Sequence, residues 1–139
     1  MHLHAQERLL TELDHVRLTR LLNRQRDASA SAPADGIEAV LEGADVVPSR
    51  QIEPDVVTMY TQVQLADAET ATRSKLTVCY PADADPRAGF VSILSPVGAA
   101  LIGLRVGALA QWQEPSGRPR CARVAAILFQ PESSGDYTL

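Results

Sequence analysis

Hydrophobic positions in the first part of the chain recur with helical spacing. Leu9, Leu10, Leu13, Val16, Leu21 and Leu22 predict an amphipathic helix over residues 5–26, with Glu and Arg on its other faces. Residues 27–35, DASASAPAD, are small, polar and proline-containing and read as a connection. A second helix follows, capped by Asp35 with Glu38 three residues on, and Ile37, Val40, Leu41 and Ala44 repeat at i, i+3, i+4 and i+7. Two such helices joined by a short polar loop predict an antiparallel hairpin. From Val47 to Asp55 the segment VPSRQIEPD shows no period and reads as a linker or strand lead-in.

The period then changes to two. Met59, Thr61, Val63 and Leu65 alternate with Tyr60, Gln62 and Gln64. After the loop ADAETATR, residues Leu76, Val78 and Tyr80 alternate with Lys75, Thr77 and Cys79. Further strands are predicted over 90–94, 108–113 and 121–129, the last two joined by a PSG turn. One short helix interrupts them. In SPVGAALIGLRVGA, Ser95 caps a helix opening on Pro96, whose missing N–H is no loss at that position. Val97, Ala100, Leu101 and Leu104 form its buried stripe, and Gly103 takes the left-handed conformation that ends it. A helix this short needs covering. The pattern therefore predicts an α+β fold: an antiparallel sheet curled around the short helix, with Leu101 deepest, preceded by a separate two-armed helical projection. The division is residues 1–45 and residues 46–139.

Composition narrows the function. With 139 residues the chain holds one core, and aromatics at only 4% leave that core to Leu, Val, Ile and Ala. No apolar run approaches the roughly 20 residues of a membrane span, and Glu7 and Arg8 stand where a secretory signal needs its apolar stretch, so a cytoplasmic protein with no membrane partner is expected. The two cysteines, Cys79 and Cys121, fall in strand-like runs and are expected reduced, as small core residues. A net charge of −4 argues against general nucleic-acid affinity.

Catalytic chemistry is sparse. His2 and His4 form an HxH near the first residue without partners, and His15 is read as a solvated helix residue. Asp83 and Asp85 in PADADP form a paired-carboxylate candidate, outweighed by turn hydrogen bonding. Asp27 and Asp35 bracket the hairpin tip and could meet around Mg²⁺, but capping explains Asp35 alone. Arg17, Arg20 and Arg24 form a basic stripe at i, i+3 and i+7, fitted either to a solvated face or to an acidic or phosphate-rich partner. No catalytic residue, metal site or cofactor is assigned, and a non-enzymatic protein is expected.

Residues 76–129, with an acidic loop, a strand, Ser95–Pro96, a small-residue helix ending in LxG, a VG turn and a final hairpin, resemble the C-terminal domain of the Gre transcript-cleavage factors. The blocks DVVTM, VCYPADAD, SPVGAALIGLRVG and FQPESSGDYTL are more similar still to the regulators of nucleoside diphosphate kinase, over residues 46–139. The resemblance implies an FKBP-like domain carrying a short coiled-coil hairpin. It also implies a transcription regulator that binds bacterial RNA polymerase at the rim of its secondary channel, with Ser95 and Pro96 as contact residues. The hairpin, with Arg17, Arg20 and Arg24, would meet the transcript or DNA only inside that complex. The tip lacks the acidic cluster of the cleavage factors, so competition with them is expected rather than transcript cleavage. Two rivals accompany this reading: a weak Mg²⁺-dependent cleavage factor using Asp27 and Asp35, and a binding module for another protein or small ligand around Trp112.

Overall fold

The computed structural model describes residues 7–28 and 35–137. Its elements are β1 (Leu9–Thr11), α1 (Glu12–Ala28), α2 (Asp35–Gly43), β2 (Asp45–Val47), β3 (Gln62–Asp67), β4 (Arg73–Cys79), β5 (Phe90–Ser92), α3 (Pro96–Leu101), β6 (Leu109–Gln113) and β7 (Pro119–Phe129). The main sheet has the order β5-β4-β3-β7-β6, and β1 pairs with β2 in a separate ribbon. This is the expected α+β arrangement, a sheet whose inner face covers a short helix.

The alternation is realised at Val63 and Leu65 in β3, whereas Met59–Thr61 precedes the strand as a turn, with Tyr60 at φ +66° and the Thr61 N–H donating to the Thr58 carbonyl at 3.0 Å; Met59, Thr61, Val63 and Leu65 are all buried. Val78 from β4, Ala110 from β6 and Val124 from β7 complete that inner face. Against it lies α3, with Leu101 at 0% exposure and Ile102 and Leu104 equally enclosed. Gly103 ends the helix with φ +81°, as its position in the sequence predicts. One strand departs from the antiparallel expectation. After β4 the chain makes two short 3-10 turns and returns as β5, which pairs parallel with β4. Asp85 and Phe90 exchange backbone hydrogen bonds of 2.9 and 3.0 Å, which fixes that return.

The amino-terminal helix starts later than its periodicity suggests. Leu9–Thr11 is a strand parallel to Asp45–Val47, because its backbone is tied elsewhere. The Leu9 N–H donates to the Gly103 carbonyl at 3.0 Å, and the Arg8 carbonyl accepts from the Asp45 N–H at 2.9 Å. Thr11 then caps α1, its hydroxyl oxygen accepting the Asp14 N–H at 3.0 Å. Placement of the stripe shifts as well: Val16 is 45% exposed, whereas Leu18 is fully buried.

The two helices run antiparallel, since His15 near the start of α1 reaches the Leu41 carbonyl near the end of α2 (Nε2 to O, 3.3 Å). His15 is thus half-buried and engaged, not simply solvated. The expected separation from the sheet is not seen at the base of the helices. Leu18, Leu21, Leu22, Ile37 and Val40 share one buried cluster with Val57, Met59 and Leu101. The physical reason is area: α1 and α2 present more apolar surface than each can cover on the other, and α2 packs against α3. The tail is also packed. The Gln130 amide donates to the Glu53 and Val56 carbonyls, each at 2.8 Å, and Arg50 stacks on Tyr137 at 4.6 Å.

Candidate functional site

Ser95 and Pro96 stand where β5 gives way to α3. The Ser95 hydroxyl donates to the Ser92 carbonyl at 2.6 Å and accepts the Gly98 N–H at 3.2 Å. The Ser92 hydroxyl in turn accepts the Leu94 N–H at 3.0 Å. Each short polar side chain thus holds the backbone of the turn, as the capping reading predicts. Pro96 is exposed on this braced turn. It forms a ridge between two open grooves. One, of about 720 Å³, runs between α2, α3 and β6 and is lined by Arg8, Ile37, Val40 and Trp112 among others. The second, of about 490 Å³, lies towards Pro86 and Val91. Trp112 and Pro115 wall both.

The floor of the larger groove is held by a residue that the sequence did not single out. The Arg8 guanidinium donates to the Ala99 and Ile102 carbonyls at 3.1 and 2.8 Å, satisfying acceptors that the end of α3 leaves open. Burial pulls its pKa down from the ordinary arginine value. Arg105 ties the first described residue to the chain beyond β2 through Glu7, Glu53 and Asp55, at 3.2, 2.9 and 3.0 Å.

The basic stripe divides. Arg20 and Arg24 are exposed on α1, whereas Arg17 is half-buried and turned to the root of the helix, its charge acting on Asp14 and Tyr80. The stripe and the Ser95–Pro96 ridge sit on different elements, with α2 packed against both α1 and α3. Asp27 falls in the last turn of α1 and Asp35 opens α2; their side chains, like His2 and His4, lie outside the described residues. Among the described residues no group of three metal-ligating side chains is found. Asp83 and Asp85 act separately: the Asp83 carboxylate accepts the Tyr60 hydroxyl, and Asp85 works through its backbone. Burial, first, and the Asp83 bond push Tyr60 up to about 12. Cys79 and Cys121 are free, the first buried and the second half-buried.

A buried carboxylate sits at the root of α1. Asp14 is 1% exposed and accepts the Met59 N–H at 3.1 Å. Burial, more than any neighbour, pushes its pKa up to about 6; Glu132 adds to the rise, and the Met59 bond, Thr11 and Arg17 oppose it. Glu132 accepts the Thr58 hydroxyl at 2.6 Å and is itself raised by burial. Because the folded state holds the Asp14 proton more tightly than the unfolded chain, stability falls as pH rises from about 4 through about 6 and levels above. Asp14→Asn keeps an acceptor for Met59, removes most of that slope and raises stability at pH above 7 by up to about 3 kcal/mol. Urea melts of both proteins across this range check it; a wild-type slope of opposite sign, or one unchanged in the variant, contradicts the assignment.

This fold and ridge define a class. Residues 52–129 match the family described as transcription elongation factor, GreA/GreB, C-terminal, and the chain belongs to that family. It is 37% identical to the regulator of nucleoside diphosphate kinase of Escherichia coli strain K12, over 94% of this chain and 96% of that protein. Transcription elongation factor GreA of Solidesulfovibrio magneticus is 28% identical over 81% of this chain and 69% of its own length. Among solved structures, the prokaryotic transcription elongation factor GreA/GreB from Nitrosomonas europaea superposes with a TM-score of 0.73 at 35% identity, covering 88% of this chain and all (100%) of that one. The protein is thus elongation-factor-like in sequence and fold. Among the described residues no helix is long and apolar enough to cross a membrane.

Proposed function

We propose that this protein is a non-enzymatic transcription regulator that docks on bacterial RNA polymerase at the rim of the secondary channel and competes there with Gre factors. The observation that carries the reading is the braced, exposed Ser95–Pro96 turn, which presents a rigid apolar ridge between two grooves. Little ordering cost accompanies docking of such a turn, because its hydrogen bonds are already made. In this reading residues 46–139 form the docking unit and residues 1–45 the projecting one, rooted in the common core. Arg20 and Arg24 face outward on α1 and supply positive charge toward acidic walls or the transcript. The tip carries only Asp27 and Asp35 as acids in DASASAPAD, so transcript cleavage is not part of the activity.

Pull-down with core polymerase tests the docking. Binding at micromolar concentration, relieved by added GreA, is expected, and Arg20→Glu with Arg24→Glu weakens it about tenfold or more without shifting the melting temperature. Absence of binding at that concentration overturns the proposal. Transcript cleavage in backtracked complexes, lost in Asp27→Asn or Asp35→Asn, replaces it with the Mg²⁺-dependent cleavage reading.

A further inference from the structure

The two faces of the main sheet differ in a way that core packing does not explain. Val63, Leu65 and Val124 point inward, so Gln62, Gln64 and Ala66 of β3 point outward. Register places their neighbours on the same outer face. Ala66 lies between Arg73 of β4 and Arg123 of β7, and Gln64 lies beside Lys75. Gln62 lies between Thr77 and Phe129, and Thr77 is flanked in turn by Phe90 of β5. Both phenylalanines of the chain therefore stand on this face, at one end of a patch whose other end is cationic.

The aromatic half of that arrangement is unusual. Phenylalanine is among the residues most often buried, and this chain is poor in aromatics, yet Phe129 is 44% exposed, Phe90 is half-exposed and neither belongs to the core cluster. The cations of that patch carry charge that no described carboxylate neutralises. Arg105 and Arg120 are neutralised by carboxylates, Arg120 by Asp67 and Glu114 at 3.1 and 3.0 Å. Among the described residues Arg73, Lys75 and Arg123 make no ion pair; Arg73 donates to the Gln64 amide oxygen at 3.0 Å and Arg123 to the Gly107 carbonyl at 2.7 Å.

We propose that this outer sheet face binds single-stranded RNA, with bases stacked on Phe90 and Phe129 and phosphates held by Arg73, Lys75 and Arg123. A pleated surface lets planar side chains lie flat beneath unpaired bases, and stacking tolerates any base because each has a π-face. Lys75 lies two residues along β3 from the aromatic row, about 7 Å, and Arg73 and Arg123 lie four, about 13 Å, which a strand of a few nucleotides laid along β3 spans. Gln62 carries an amide that can meet base edges or a ribose 2′-hydroxyl. A duplex fits poorly, since its bases are not free to stack. The local charge explains how a chain of net charge −4 can hold a polyanion on one face.

Fluorescence anisotropy of a labelled short oligouridylate, titrated with the full chain, tests the proposal. Saturable binding is expected, weakening roughly tenfold to twentyfold between about 50 and 200 mM salt, as three phosphate contacts on a single strand require. Phe129→Ala and Lys75→Glu, both at exposed positions, each lower affinity about fivefold or more with unchanged melting temperature. No saturable binding at low salt overturns the proposal. So does binding that both variants leave intact, binding lost instead in Arg20→Glu, or equal binding of oligothymidylate, duplex DNA or polyglutamate. The assay contains no polymerase, so its failure leaves the docking reading standing, and failure of docking leaves this one standing.

Discussion

Leu101→Asp abolishes cooperative unfolding. Leu101 is fully enclosed between the inner sheet face and the packed α2, and the nearby Arg8 guanidinium is already committed to the Ala99 and Ile102 carbonyls. The substitution removes a buried aliphatic side chain, which alone costs about 2–5 kcal/mol, and introduces a polar group without partners, which costs at least about as much again. A domain of this size has about 5–15 kcal/mol to lose. Circular dichroism through a thermal ramp reads the outcome: a broad, non-sigmoidal loss of signal is expected, and a sharp transition near that of the wild type would place Leu101 outside the core. Leu101→Met, of similar volume, keeps the transition and serves as the control.

Gly98→Ala gives the second-largest effect, and here two forces compete. Within a helix alanine is favoured over glycine by about 1 kcal/mol. A Cβ on Gly98, however, would lie 2.2 Å from the Ser92 carbonyl oxygen and 3.0 Å from the Ile93 Cα, both backbone atoms that cannot swing aside. The first turn of α3 must therefore lift away from the end of β5, and the two hydrogen bonds of the Ser95 hydroxyl are lost with it. A net loss of about 3 kcal/mol or more is expected, since crowding a packed site commonly costs about 1–3 and the broken bonds add to it. Chemical denaturation measures it. The same variant weakens polymerase capture more than its stability loss alone explains, because it moves the Pro96 ridge; a stabilised protein would show that the turn yields cheaply.

The segment Ser95–Leu104 was legible in the sequence because every signal in it is local. A capping serine, a proline that tolerates the first turn, small residues where backbones approach and a glycine at the left-handed exit sit within ten positions. The alternation of β3 was legible for the same reason. Leu9–Thr11 was not, because Leu9, Leu10 and Leu13 fit a helical stripe and the partners that make a strand of them, Asp45–Val47 and the Gly103 carbonyl, are distant in sequence. Val16 and Leu18 exchanged roles since both suit an apolar stripe and only tertiary packing chooses between them. Asp14 reads as one more charge on a polar helix face; its partner is the backbone N–H of Met59, which any residue at that position supplies. Arg8 meets carbonyls in the same way. At the candidate site, then, the braced turn was visible and the grooves beside it were not, because they arise from α2 settling onto α3.

The knot of contacts around Arg8 and Leu9 has a consequence for how the chain is made. These residues are synthesised well before their partners at Ala99, Ile102 and Gly103, which follow more than ninety positions later, at sequence separations of 91 and 94 for the two guanidinium bonds. The helices of the nascent amino-terminal segment can coil early, but their apolar sides have no seat until the carboxy-terminal half emerges. Docking of the Leu9–Thr11 strand therefore waits for the later-made Ala99–Gly103 segment, and that closure is the step at which a stalled chain is left with bare leucines.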